Sequence, residues 1–139
     1  MSGNDFMAWV LRSPFHGMLS GMMLITFTGR KTGKVYTTPV GYYEEGGCLW
    51  VITSRDRTWW RNLKGGVNVK LLLKRKPVNG YAETELDDKT VEALMYEYVK
   101  HIPRAAKPMG IRNENGVANS EDIIRVAKER LFVRIKLLN

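Results

Sequence analysis

Arg30, Lys31 and Lys34 crowd into one short stretch, Gly29-Arg30-Lys31-Thr32-Gly33-Lys34, set between two strand-like runs. A turn between strands needs its glycines but has no need of three cations. With the hydroxyls of Thr28, Thr32, Thr37 and Thr38 and the backbone N–H groups of the turn, they make an anion site of the sort that grips phosphate. Gly29 and Gly33 let the backbone approach such a group closely. The same residues also read as a solvated basic hairpin, since Gly-Lys-Thr-Gly turns are common and charge runs usually face water.

The residues further along the chain weigh on that choice. A glycine turn at Glu45-Gly46-Gly47 leads to a strand from Cys48 to Thr53, then to Ser54-Arg55-Asp56-Arg57-Thr58-Trp59-Trp60-Arg61-Asn62-Leu63-Lys64-Gly65-Gly66. Trp59 and Trp60 are adjacent, so on a helix they point in different directions; at most one packs into a core and the other is free to wall a pocket. Ser54 and Asp56 also read as helix caps, and Asn62 as a local cap before the glycines. Pro39 inside a strand gives up one ladder hydrogen bond, which puts that strand at an edge, at a bulge, or open to a ligand.

Taken in order, Gly29 to Gly33, Thr38-Pro39, Ser54-Arg55 and Trp59-Trp60-Arg61-Asn62-Leu63 resemble the deazaflavin-dependent nitroreductase and quinone reductase family, over the span from Met22 to Leu86. The resemblance implies a split β-barrel related to flavin-mononucleotide-binding, pyridoxamine-phosphate-oxidase-like proteins, a fold that usually dimerises with its cofactor in the groove between subunits. It implies that Arg30, Lys31 and Thr32, with the backbone through Tyr36, Thr37, Thr38, Pro39, Val40 and Gly41, hold the phosphate portion of the cofactor. Ile52, Thr53, Ser54 and Arg55 would pass beside its ring and ribityl chain, Ser54 donating to a ring oxygen and Arg55 adding charge near the tail or ring edge. Trp59, Trp60 and Asn62 would lie beside the redox ring. The cofactor implied is coenzyme F420, a deazaflavin; FMN is the alternative, because the two share ring shape, ribityl chain and first phosphate. The activity implied is an oxidoreductase passing a hydride to a quinone, a nitroaromatic or a similar conjugated small molecule, with orientation and charge supplied by the protein and no catalytic acid assigned.

The chain departs from the family where Asp56-Arg57-Thr58 replaces a longer loop carrying a His-Pro or Asn-Pro pair, leaving room for a wider pocket. The C-terminal tyrosines that some relatives use have no counterpart, and Tyr96 and Tyr98 read as helix packing.

The 139 residues suit one cofactor-binding domain spanning 1–139, with a core of its own. A net charge of +8 favours anionic partners. Single-stranded nucleic acid is a competing partner for a small basic barrel, disfavoured because the cations gather in a turn and a short helix rather than along an aromatic strand face. Cys48 is the only cysteine, which excludes an internal disulfide and fits a reducing, cytoplasmic setting. His16 and His101 have no carboxylate or cysteine at ligand spacing, so no metal site is expected. Nor is there a nucleophile elbow. The apolar segment from Phe6 to Met23, broken by Arg12, Pro14, His16, Gly17 and Gly21, reads as a helix and connector, with peripheral membrane contact as its other reading.

The elements that must position these residues follow from periodicity. Asp5 caps a first helix to Arg12; strands are expected at Met22 to Thr28, Val35 to Tyr43, Leu49 to Thr53, Val67 to Lys74 and, after a Pro77-Val78-Asn79 bend, Gly80 to Glu85. Asp56 is expected to cap a short helix through Lys64. Asp87 or Asp88 begins a helix with Val91, Leu94, Met95, Tyr98 and Ile102 recurring at three- and four-residue spacing until Pro103. Lys107 to Ala118 reads as loop; Asn119 or Ser120 caps a helix with Ile123, Ile124 and Ala127 inward, before a last strand from Leu131 to Leu138. The fold class is α+β: a split β-barrel of about six mostly antiparallel strands with flanking helices.

Overall fold

The computed structural model describes residues 21–138, so the expected first helix, His16 and most of the segment from Phe6 lie outside the described residues. Seven strands form one sheet: β1 Met22–Thr28, β2 Val35–Gly41, β3 Tyr43–Glu45, β4 Cys48–Ser54, β5 Val67–Leu73, β6 Lys76–Glu85 and β9 Arg130–Leu138. Their order across it is β2-β1-β5-β6-β9-β4-β3. The pairs β1–β2, β1–β5, β3–β4 and β5–β6 are antiparallel. β2 and β3 are opposite edges of this sheet, yet only Tyr42 separates them in the chain. One residue can join the two edges only if the sheet curls round on itself, which is the half-barrel of a split-barrel fold.

That curl divides the strand expected from Val35 to Tyr43. Gly41 still pairs with Met22, the N–H of Tyr42 donates to the Gly21 carbonyl at 3.0 Å, and Tyr43 pairs with Trp50 instead. A second correction concerns β6, which starts at Lys76 rather than after a bend at Pro77. Lys74 and Arg75, with φ of 49° and 72°, form a two-residue hairpin turn, so Leu73 pairs with Lys76 and Pro77 sits opposite Leu72. In such a hairpin the pair closing the loop carries the hydrogen bonds, and the next pair does not need the N–H that proline lacks. Gly80 is required further along: a Cβ there would lie 2.8 Å from Ile135 Cγ2 and 3.3 Å from Leu71 Cδ1.

The described residues divide into two compact units. The first holds residues 21–52, Thr58–Thr84 and 133–138. Its interior is the buried face of the sheet, with Ile25, Phe27, Leu49, Val51, Leu63, Val69, Leu71 and Ile135 among its members. The alternation of β5 survives in part: Val69 and Leu71 are buried while Asn68 and Lys70 are exposed, but Leu72, on the face of Asn68 and Lys70, is buried too, so that face is wet over only part of its length.

The second unit holds Thr53–Arg57 and Glu85–Phe132. Helix α1, Asp88–His101, is capped by Asp87, whose carboxylate accepts from the Thr90 N–H at 3.0 Å, and it buries Val91, Met95 and Val99 one turn apart. The expected loop from Lys107 to Ala118 contains a small hairpin, β7 Asn113–Glu114 and β8 Val117–Ala118, turned by Asn115 and Gly116 at φ 53° and 79°. This Asn-Gly pair is the residue choice that a two-residue turn requires. Helix α2, Ser120–Glu129, is capped by Asn119 and buries Ile123, Val126 and Ala127. Ile124, expected inward, is 40% exposed, because a helical step of about 100° carries it off the face shared by Ile123 and Val126.

Asp122 anchors this unit. Its buried carboxylate accepts from the Arg112 backbone N–H and Nε, both at 2.9 Å, and from Arg125 at 3.5 Å. The Arg112 side-chain hydrogen bond is the main reason its pKa falls to about 2, aided by the backbone bond and opposed by burial. A carboxyl depressed in the folded state stabilises the fold above its unfolded pKa and loses that contribution as pH falls through the folded value. Thermal melts should therefore show wild type losing stability as pH drops from about 4 to about 2. Asp122→Asn should melt lower at neutral pH and lose less across that window. Parallel pH profiles for the two proteins would contradict this role.

Candidate functional site

The basic turn between β1 and β2 closes on itself. The Gly29 N–H donates to the Lys34 carbonyl at 2.7 Å, and the Gly33 N–H, at φ +69°, to the Gly29 carbonyl at 3.0 Å. The Lys34 N–H donates to Thr32 Oγ1 at 3.2 Å, and Thr32 Oγ1 lies 3.2 Å from the Tyr36 hydroxyl. Gly29 is needed because Tyr36 folds back over the turn: a Cβ at residue 29 would meet Tyr36 Cε2 at 2.6 Å and Thr32 Oγ1 at 3.0 Å. The Tyr36 ring stacks on Phe27 with centroids 5.9 Å apart, and Phe27 in turn tilts against Trp59 at 6.1 Å. Three aromatics thus form a continuous wall that starts at the basic turn.

Trp59 reaches Phe27 from a short 3-10 helix, Trp59–Leu63. A short helix through Lys64, capped by Asp56, was the expectation; the residue at the N-cap is Thr58, and no side chain caps the helix. The tighter helix aligns residues three apart, which buries Trp60 and Leu63 together, and Gly65 and Gly66 at φ 83° and 85° end it after one turn. Arg61 and Lys64 place their charges 5.5 and 5.4 Å from the centroid of the Trp60 ring. Trp60 Nε1 is buried and finds no hydrogen-bond acceptor among the described residues, a cost of roughly 1–3 kcal/mol. Asn62 joins helix and turn: its Oδ1 accepts from the Arg30 backbone N–H at 2.9 Å and its Nδ2 donates to the Trp59 carbonyl at 3.0 Å. Arg30 Nη1 adds a bond to the Arg61 carbonyl at 3.0 Å.

Turn, β2, aromatic wall and helix enclose a cleft of about 850 Å³. Arg30, Lys31, Thr32, Tyr36, Thr37, Thr38, Trp59 and Asn62, all expected at a site, line it together. Pro39, Val40, Gly41 and Ile52 do not line it: Val40 is buried, and Pro39 and Gly41 sit in β2 opposite Leu24 and Met22. Trp60 packs in the core while Trp59 faces the cleft. Thr53, Ser54 and Arg55 belong to the second unit. There the Arg55 guanidinium donates to the carbonyls of Leu86, Ala127 and Arg130 at 2.8–3.0 Å and to Asp88 at 3.0 Å, so its hydrogen-bonding capacity serves the fold of that unit.

Phe27, Thr58, Arg61 and Lys64 line the cleft without having been singled out from sequence. Arg61 and Lys64 do carry a signal, since a spacing of three aligns them on a 3-10 turn. Phe27 carries none; it reads as one more apolar strand residue. No Asp, Glu, His or Cys is among the described lining residues, against four cations: Arg30, Lys31, Arg61 and Lys64. Such a donor set, with threonine hydroxyls and an aromatic wall in the same cleft, fits a ligand with both a multiply charged anion and a planar ring, as a phosphorylated deazaflavin or flavin has.

Residues 12–113 match the family model for F420H(2)-dependent quinone reductase. No curated protein matches the chain. Among solved structures, a pyridoxamine 5'-phosphate oxidase candidate from Listeria innocua is similar at 12% identity and TM-score 0.53, over 97% of this chain and 93% of that one. The protein Atu2129 from Agrobacterium tumefaciens, of unknown function, is similar at 13% identity and TM-score 0.56, over 93% of this chain and 57% of its own. A third, described as a domain-swapped dimer, shares 19% identity at TM-score 0.51 over 83% and 80% of the two chains. At these identities the likeness is one of fold, and it agrees with the split barrel.

Gly29→Ala tests the packing of the wall. Because the nearest atom is the edge of a 42% exposed tyrosine, Tyr36 should swing off Phe27 rather than the turn unfold. We expect a small loss of stability, at or below the roughly 1 kcal/mol end of overpacking costs, together with a changed near-UV circular dichroism band. An unchanged aromatic spectrum would mean Tyr36 does not rest on this glycine.

Proposed function

The chain belongs to the F420H(2)-dependent quinone reductase family, and on that premise we propose that it is an oxidoreductase holding coenzyme F420 in the cleft and reducing a quinone, a nitroaromatic or a similar conjugated acceptor. The observation that carries this reading is the juxtaposition, among the described residues of one cleft, of four cations without a carboxylate and the Tyr36–Phe27–Trp59 wall. When bound, the reduced deazaflavin supplies the hydride that the acceptor takes up. Arg30, Lys31 and the Thr32 hydroxyl would hold the phosphate, with Thr37 and Thr38 beside them. Trp59, backed by Phe27, would wall the ring and exclude water from one side of it. Arg61 and Lys64 add charge on the opposite wall, which suits a cofactor with more anionic groups than one phosphate and so favours F420 over FMN. The same cations would favour the anionic form of a reduced quinone. No described lining residue is a carboxylic acid or an imidazole, so no side chain is assigned as proton donor.

A homodimer is part of this reading. Its support is the relative described as a domain-swapped dimer and the exposed Val35 and Tyr36 on edge strand β2. No helix of the described residues is long and apolar enough to cross a membrane.

Titrating F420 and FMN separately into the apoprotein is the direct test, with F420 expected to bind more tightly. Replacing Arg30 and Lys31 together with Ala should weaken F420 binding by about one to two powers of ten per lost contact, at roughly 1.5–3 kcal/mol for a charge-assisted bond. The two tryptophans should separate: Trp60→Ala should cost roughly 3–5 kcal/mol of stability, while Trp59→Ala should stay folded and slow menadione-dependent oxidation of reduced F420 more than it weakens F420 binding. A folded wild type that binds neither cofactor would overturn the proposal. Light scattering at micromolar concentration should give a dimer, and a monomer would remove that part of the reading.

A further inference from the structure

We propose that Asn62 is a positioning residue, acting on the ligand through Arg30 and Trp59 by fixing the distance between the basic turn and the Trp59 ring. The proposal rests on the reading that the cleft takes a cofactor with an anion at one end and a ring at the other. The family resemblance by itself puts Asn62 beside the ring as a contact. In the structure its amide is engaged elsewhere, with Oδ1 accepting from the Arg30 main-chain N–H at 2.9 Å and Nδ2 donating to the Trp59 main-chain carbonyl at 3.0 Å. Because a backbone N–H can only donate and a carbonyl can only accept, both partners dictate the same orientation of the amide.

Three of the links between the turn and the helix differ in stiffness. The first, Arg30 Nη1 to the Arg61 carbonyl, runs through a long side chain with many rotamers. The second, Phe27 against Trp59, is a tilted ring contact at 6.1 Å that tolerates sliding. Of the three, only Asn62 connects main chain to main chain through one short side chain, joining residues 32 apart in sequence.

Each wall is also closed by bonds of its own. The turn keeps Gly29 N–H to Lys34 carbonyl and Gly33 N–H to Gly29 carbonyl. The helix keeps Arg61 N–H to Thr58 carbonyl and is followed by Gly66 N–H to Leu63 carbonyl. Removing the Asn62 amide therefore leaves the turn's donors, with Tyr36 and Phe27 beside them, and the helix that carries Trp59 individually intact and changes their relative placement. A ligand that engages both walls gains from their preset separation, as in any two-point attachment; a ligand that engages one does not.

The test compares an intact ligand with its parts. Affinities for F420, for inorganic phosphate and for the phosphate-free ribityl deazaflavin are measured on wild type, Asn62→Ala and Asn62→Leu, the last keeping similar bulk without the amide. F420 affinity should fall about tenfold or more, while each fragment stays within about twofold. If either fragment weakens as much as F420 does, Asn62 is an ordinary contact and the inference fails. It fails equally if F420 affinity is unchanged, or if both variants unfold by thermal melt, since the amide would then be a general fold element. Wild type failing to bind F420 would remove the cofactor reading itself, a result distinct from all of these.

Discussion

Consecutive strands at opposite edges of a seven-stranded sheet cannot lie in a flat sheet when Tyr42 alone joins them. The curl this imposes assembles the cleft. In the sheet order, β4 lies four strands away from β1, yet the helix that follows β4 hydrogen-bonds the turn that follows β1 through Asn62 and Arg30. In a flat sheet a separation of four strands is nearly 20 Å at about 4.8 Å per strand, beyond the reach of a direct side-chain bond. Rolling the sheet brings the two segments together. The glycines serve the same end locally, since Gly29 lets Tyr36 close over the turn and Gly66 lets the chain leave the helix under the Tyr81 ring.

Four cations held around one cleft repel one another, and the protein limits the resulting freedom by giving the charges fixed supports. Arg30 is tied to the Arg61 carbonyl, and Arg61 and Lys64 both lean toward the Trp60 ring, whose negative face attracts them. Trp60 accordingly both fills the core and orients charge, and that dual use offers a reason for retaining a large ring whose Nε1 lacks an acceptor among the described residues. An anion entering the cleft relieves the repulsion. Ligand binding should therefore also stabilise the fold, by an amount that grows with ligand concentration above its Kd.

The sequence was most legible where a signal is local. β1 has the expected bounds, Asp87 and Asn119, each one of two candidates, cap the two helices, and the residues around the basic turn line one cleft. It was less legible where tertiary context decides. Nothing local announces that Lys74 and Arg75 adopt positive φ, because glycine and asparagine are the usual signals for such a turn. Ile124 is apolar yet faces outward, a choice made by what Ile123 and Val126 pack against. The change of partner at Tyr43 depends on the closure of the sheet, and no window of residues encodes it. Likewise a short helix before two glycines reads as α or 3-10 equally well until the joint burial of Trp60 and Leu63 selects the tighter form.

Arg55 carries the clearest lesson about reading a site from resemblance. Its position at the end of β4 matches a segment assigned to the cofactor, but its guanidinium donates to three carbonyls and the Asp88 carboxylate within the second unit, with its side chain 28% exposed. Withdrawing it from those acceptors would strand several carbonyls, two of them at the end of α2. Arg61 and Lys64, on and just past the helix that follows Asp56-Arg57-Thr58, line the cleft and place charge there beyond the basic turn. The helix thus adds Trp59 to an aromatic surface begun by Phe27 and Tyr36, and Arg61 to a charge begun by Arg30 and Lys31.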